Sequence, residues 1–286
     1  TYMSSVVCPY TRSLLEFALD GIYDSLDGWV HTSSCDHLRR LYDNLGYLVN
    51  PGFNHIVDLP HKMTDEALDW FAEEIETLAE RLAEEFGVDT GPDAIASSIK
   101  RYNDITAVLR SIDELRKGDE SPIQGSQYHA LLVAASVSPA ESIAEGLERL
   151  SQELESSSGV GTHRARIMLA GSQMDDPGYV RVIESVGGLV VADRSCFGSI
   201  PRLDPIELDG DPVRSLARHY LRKLSCPRMM ENFRSRAESI IAAARDYRAD
   251  GVILQTMKFC DCWGVESSPM VEALREAGIP VLRLER

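Results

Sequence analysis

The chain has 286 residues, 44% hydrophobic and 26% charged, which is enough apolar material to bury the cores of two ordinary domains and too much for wholesale disorder. Its formal net charge of −16 sets up a field that repels nucleic acid and anionic membrane surfaces, so neither is expected as a partner. No apolar run is long enough to span a bilayer and no signal-peptide pattern opens the chain, so a cytoplasmic protein is expected.

The chain opens TYMSSVVCPY, without an initiator Met, and ends VLRLER directly after a strand-like run; both ends read as cut from something longer. After the short apolar VVC, Pro9 suits the first turn of a helix over YTRSLLEFALDG. DGWVHTSSCDHLRRLYDNLGY reads as a short buried strand, a Ser/Thr turn and a helix, and NHIVDLPH as the next strand, ended by a Pro. From Met63 to about Ser156 the pattern turns helical. Leu68, Phe71, Ile75, Leu78, Leu82 and Phe86 recur at helical spacing, with Thr64 as N-cap and Gly87 as stop. DAIASSIKRYNDITAVLRSIDELRKG, QYHALLVAAS and SPAESIAEGLERLSQELESSSG continue the helices, their acidic faces reading as solvated surface. ESSSGVGTHRA is the best linker candidate.

Beyond the linker the pattern alternates. RARIMLAGS, GLVVADRS, GVILQT and IPVLRL read as strands, and DDPGYVRVIESVGG, ENFRSRAESIIAAARDYRAD and SSPMVEALREAG as helices. Continuous apolar strands separated by amphipathic helices predict a parallel sheet covered on both faces. The expected division is a partial α/β lobe over 1–62, a helical region over 63–158 and a second α/β lobe over 159–286.

The six cysteines, Cys8, Cys35, Cys196, Cys226, Cys260 and Cys262, are spread too widely for a disulfide framework and read as reduced thiols. Ligands of open parallel sheets bind at the carboxyl ends of strands, and Cys8, Cys35 and Cys260 each follow a strand-like run. A thiolate at a helix start is stabilised by free N–H groups and the helix dipole, as a metal ligand requires. By spacing alone three readings stay open: an iron–sulfur cluster with one iron left for another ligand, a zinc site, or small buried hydrophobes. Cys260-Asp-Cys262 is one residue too tight for the common CxxC zinc pair.

VVCPYTRSLLEFALDG, TSSCDHLRRLYDNLGY and ILQTMKFCDCWGVESSPMVEALREAGIPVLRLER together resemble the cysteine segments of the 2-hydroxyacyl-CoA dehydratase and class I benzoyl-CoA reductase family, and the resemblance runs through essentially the whole chain. It implies α/β architecture, two flavodoxin-like lobes of doubly wound parallel sheet with a helical insertion between them. It implies a [4Fe–4S] cluster held by the matching Cys8, Cys35 and Cys260, with single low-potential electrons passed to an acyl-CoA thioester. It also implies a second homologous core subunit and a separate ATP-hydrolysing activator, in keeping with the lack of a GxxxxGK[ST] motif here. The form KFCDCWGVE leans toward the benzoyl-CoA reductase branch. The family's further N-terminal segment and C-terminal tail have no counterpart in these residues.

Other residues are weighed beside that trio. His37, on the first turn of its helix, is expected to donate a hydrogen bond to cluster sulfur or substrate; Lys258 to stabilise a reduced cluster or CoA phosphate; Trp263 to cover the cluster or a ring substrate. Each has a bland alternative in packing or solvated surface. Cys262 reads as a bystander, a fourth ligand or a resolving thiol, and Cys196, Cys226 and His31 as packed residues; Arg12 faces either the site or a salt bridge elsewhere. GSQMDD lies between a strand and a helix, but its two acids argue against an anion there. Two alternatives to the acyl-CoA enzyme are a related double-cubane-cluster reductase of small molecules and a non-metal interaction subunit with buried cysteines.

Overall fold

The computed structural model describes residues 2–199, 203–222 and 226–286. The chain is α/β, with parallel sheets and, among the described residues, ten α-helices. No helix among these residues is long and apolar enough to cross a membrane. The residues group into two units, 1–97 with 207–231 and 257–264, and 98–206 with 232–256 and 265–286.

In the first unit, β1 (Gly28–Thr32) and β2 (Phe53–Val57) pair in parallel, Gly28 opposite Phe53 and Thr32 opposite Val57. α1 (Pro9–Leu19) and α2 (Asp36–Leu48) bury Leu15, Ala18, Leu41 and Leu45 together, with Trp29 of β1 against them. α3 (Asp65–Phe86) begins where the spacing predicts: Thr64 accepts a hydrogen bond from the Ala67 N–H at 3.2 Å, and Gly87 ends the helix at φ +64°. That conformation is cheap for glycine alone. α3 packs Phe71 and Ala72 on Val57 together with Val213, Ala217 and Leu221 of α8 (Pro212–Leu221).

In the second unit the sheet order is β4-β3-β5-β6, all parallel, from β3 (Ala165–Gly171), β4 (Gly188–Ser195), β5 (Gly251–Thr256) and β6 (Val281–Glu285). β3 and β4 are buried through most of their length, as their continuous apolar runs predict. β6 differs. It stands at one edge of the sheet and leaves Leu282 and Leu284 exposed, whereas β4 at the other edge is buried, so the expected covering of both faces does not extend to β6.

The predicted helical region holds α3, α4 (Pro92–Leu115), α5 (Gly125–Val137) and α6 (Ala140–Glu155). α4, α5 and α6 share a core of Leu109, Ile112, Tyr128, Leu132 and Leu147. α5 abuts β4 so closely that a Cβ on Gly125 would lie 2.3 Å from the Val190 carbonyl oxygen. Glu184 of α7 (Pro177–Ser185) accepts from the Gly125 and Ser126 N–H groups, satisfying the start of α5. Asp176 accepts from Gly178 at 2.7 Å and so fills the start of α7 with a carboxylate, which leaves GSQMDD no anion-binding character.

α9 (Phe233–Asp246) and α10 (Asp261–Glu276) complete the helices. α10 starts well before the expected SSPMVEALREAG and runs through Pro269. Proline usually marks a helix start, because it lacks an N–H and clashes with the preceding turn; here the helix tolerates it internally.

Candidate functional site

Three cysteine segments come together in the first unit, and each places its sulfur at the same point of local structure. Cys8 precedes α1, Cys35 precedes α2 and Cys260 precedes α10. Each backbone carbonyl accepts the first helical hydrogen bond, from Arg12 (3.1 Å), Arg39 (3.2 Å) and Gly264 (2.7 Å). The local reasons differ. Pro9 presets φ for the first turn of α1, Asp36 supplies a carboxylate to the first turn of α2, and Phe259 turns the chain at φ +62° so that Cys260 can start α10.

The sulfurs are half-buried thiols within electrostatic reach of one another. Burial raises the pKa of Cys35; the N–H groups of Leu38 and His37 pull it back, and charge on Cys8 and Cys226 raises it again. Burial pushes Cys260 up to about 11, with charge on Cys8 and Cys35 adding to the rise against the Trp263 N–H. Cys262 goes to about 12 through burial, then through Cys226, Cys260 and Cys35. Five sulfurs thus sense one another, two more than the trio read from the sequence.

His37 connects the trio. Its Nδ1 accepts the backbone N–H of Cys8 at 3.2 Å, and its Nε2 lies 3.5 Å from Oδ2 of Asp261, the residue after Cys260. Cys8 Sγ stands 3.3 Å from Met257 Sδ. The strand ends beneath are tied by hydrogen bonds. Ser33 donates to Asp58 and accepts from the Leu59 N–H at 2.8 Å, and Arg39 reaches Asp58 at 3.5 Å.

The other candidates sit as follows. Lys258 is exposed, with Nζ 5.4 Å from the centre of the Phe259 ring. Trp263 is buried, 1% exposed, on the first turn of α10. Arg12 lies on the exposed side of α1, lining a shallow groove of about 430 Å³ with Glu16 and Asp20. His31 is a packed histidine: its ring stacks on Trp29, meets Tyr42 edge-on, and is held neutral by burial. Cys196 follows β4 in the second unit. Met257, Asp261 and Cys226 were not singled out by sequence reasoning as neighbours of the trio, and only the adjacency of Met257 and Asp261 to Cys260 hinted at them.

Among the described residues, no three His, Cys, Asp or Glu side chains converge on the point a single metal ion would occupy. An iron–sulfur cluster is wider than one ion and takes thiolates from well-separated segments. The donor chemistry fits such a group: soft sulfurs at three helix starts, with mutual repulsion that binding to iron would relieve.

The family 2-hydroxyglutaryl-CoA dehydratase, D-component, matches residues 1–286. The chain is 25% identical to the (R)-2-hydroxyglutaryl-CoA dehydratase subunit beta of Acidaminococcus fermentans, covering 99% of this chain and 76% of that protein. It is 23% identical to a benzoyl-CoA reductase subunit of Thauera aromatica (98% and 74%) and 21% identical to the (R)-phenyllactyl-CoA dehydratase beta subunit of Clostridium sporogenes (100% and 76%).

Proposed function

We propose, because the chain belongs to the 2-hydroxyglutaryl-CoA dehydratase D-component family, that it is an iron–sulfur core subunit of an ATP-dependent radical acyl-CoA enzyme, a dehydratase or a reductase of the benzoyl-CoA type. It works with a second homologous subunit and a separate ATP-hydrolysing activator. The relatives are themselves named as subunits of lyases and a reductase, which supports a partner chain. The observation that carries the reading is the convergence of Cys8, Cys35 and Cys260, each at a helix start and within electrostatic reach of the others.

Cys8, Cys35 and Cys260 hold the [4Fe–4S] cluster, which when bound supplies single electrons of low potential. The protein's part is to hold the thiolates with helix-start N–H groups, to bury each cysteine in part, and to place Lys258 at the exposed rim, where its charge suits an anionic thioester. Buried Trp263 shapes the wall behind Cys260. The fold belongs to the same reading. The order β4-β3-β5-β6 is second-first-third-fourth in chain order, as in flavodoxin-like sheets, which supports one such lobe in the second unit; the parallel pair β1-β2 suits the first.

Anaerobic purification with iron and acid-labile sulfide counted per chain tests the reading. About four irons per chain are expected, lost in each of Cys8→Ser, Cys35→Ser and Cys260→Ser. A colourless, metal-free chain indifferent to all three changes overturns it. Cys226 and Cys262 beside the trio keep a double-cubane cluster as the second reading, and an iron count near twice the first would select it.

A further inference from the structure

We propose that His37 is a positioning residue that locks the three cysteine segments to one another, rather than a donor to sulfur or substrate; the proposal rests on the cluster reading above for its purpose and on the ring's contacts for its geometry. His37 sits two residues after Cys35, on the first turn of α2. The ring's two nitrogens face the Cys8 backbone and the Asp261 carboxylate. A backbone N–H can only donate, so the Cys8 N–H at 3.2 Å requires an unprotonated Nδ1. On the other side of the ring, Nε2 lies 3.5 Å from Asp261 Oδ2, a polar contact longer than an ordinary hydrogen bond.

One imidazole thereby reaches all three segments: Cys35 through its own helix, Cys8 through the backbone N–H, and Cys260 through the carboxylate of the next residue. The side chain is only 15% exposed, so water competes weakly for these contacts, whereas Asp261 is 76% exposed and its half of the clamp is the weaker one. Groups that hold ligands in place govern metal retention strongly, their loss typically weakening binding by about 10–100-fold.

Two measurements on the full chain test this. In the metal-free protein, His37→Phe keeps the ring's bulk and removes both nitrogens; amide exchange at Cys8 should quicken about fivefold, with global unfolding unchanged. His37→Asn, whose Oδ1 can accept from Cys8, should restore most of the protection. In the anaerobically iron-loaded chain, release of iron to a chelator should quicken about tenfold or more in His37→Phe, by an intermediate factor in His37→Asn, and least in Asp261→Asn. Unaltered Cys8 exchange in His37→Phe overturns the clamp, as does iron release equal to that of the unaltered chain. If the unaltered chain takes up no iron, the cluster reading fails, while the exchange measurement still decides whether His37 joins the segments.

Discussion

Arg236 and Glu266 in the second unit bury opposite charges against each other, Nε to Oε2 at 2.8 Å, and Arg116 meets Asp113 at 2.6 Å in the same unit while its Nη2 donates to the Val190 carbonyl. Tyr247 adds a hydroxyl bond to Asp113. The first unit treats its buried chemistry differently: it gathers Cys8, Cys35, Cys226, Cys260 and Cys262 beside like groups, and the neighbouring sulfurs add to the burial that opposes ionising Cys35, Cys260 and Cys262. Charges that answer one another inside the fold serve the fold. Groups that oppose one another do not serve the fold in that way, and this separates the two units more cleanly than burial does.

The largest effect expected of that comparison lies in the second unit. Glu266→Ala removes the buried carboxylate that pairs with the Arg236 guanidinium, 1% exposed, so stability in denaturant should fall by about 3 kcal/mol. Replacing both partners by apolar residues of similar volume should recover most of that loss. A single-variant loss below about 1 kcal/mol would mean that the pair is not answered internally, and the contrast would collapse.

The next effect concerns alkaline pH. Burial and the neighbouring Asp113 carboxylate raise the Tyr247 pKa far above the ordinary value for tyrosine. The folded state therefore holds that proton longer than the unfolded state. The contribution is fully present below pH about 10 and is lost as pH rises beyond it, by about 1.4 kcal/mol per unit. Tyr247→Phe should remove this limb from a plot of stability against pH. An unchanged alkaline limb would place its cause elsewhere.

The smallest effect belongs to the first unit and runs the other way. Burial lowers the pKa of His31 and of His55, the latter with help from the Arg81 charge. The unfolded chain then binds protons that the fold refuses, so stability present above pH about 6.5 falls below it. His31 Nε2 has no hydrogen-bond partner, so His31→Phe should flatten the acid limb at a cost of about 1 kcal/mol or less at neutral pH. Amide exchange followed in each unit separately would show the acid limb in the first unit, beside an alkaline limb from its raised cysteines, and the Tyr247 limb in the second. An acid limb of equal size in the second unit would erase the distinction.

Much of this fold was legible in the residues, for identifiable reasons. β3, β4 and β5 are continuous apolar runs, and α3 carries its cap, its stop and its spacing in plain sequence. Two helices were less legible. α10 hid its start behind Pro269. α8 went unread although Asp211 caps it, Pro212 opens it, and Val213, Ala217 and Leu221 recur every fourth residue; between two irregular stretches, so short a period is easily passed over. At the site, Cys8, Cys35 and Cys260 could be picked out because each stands at a helix start, which is a local property. The Met257 sulfur against Cys8, and Cys226 near Cys35 and Cys262, depend on segments far apart in the chain being folded together, and no local pattern encodes that. His37 shows the same limit: its place on the first turn could be read, but the direction of its ring could not.

The residue that opens a helix is where serine is among the most favoured of all side chains, because its hydroxyl accepts from the N–H groups of the first turn. Cys8 and Cys35 occupy that place, and neither makes a cap bond through its side chain. At both positions sulfur stands where serine would open the helix better. A lineage released from the need for sulfur should drift to serine there and become more stable as it does so.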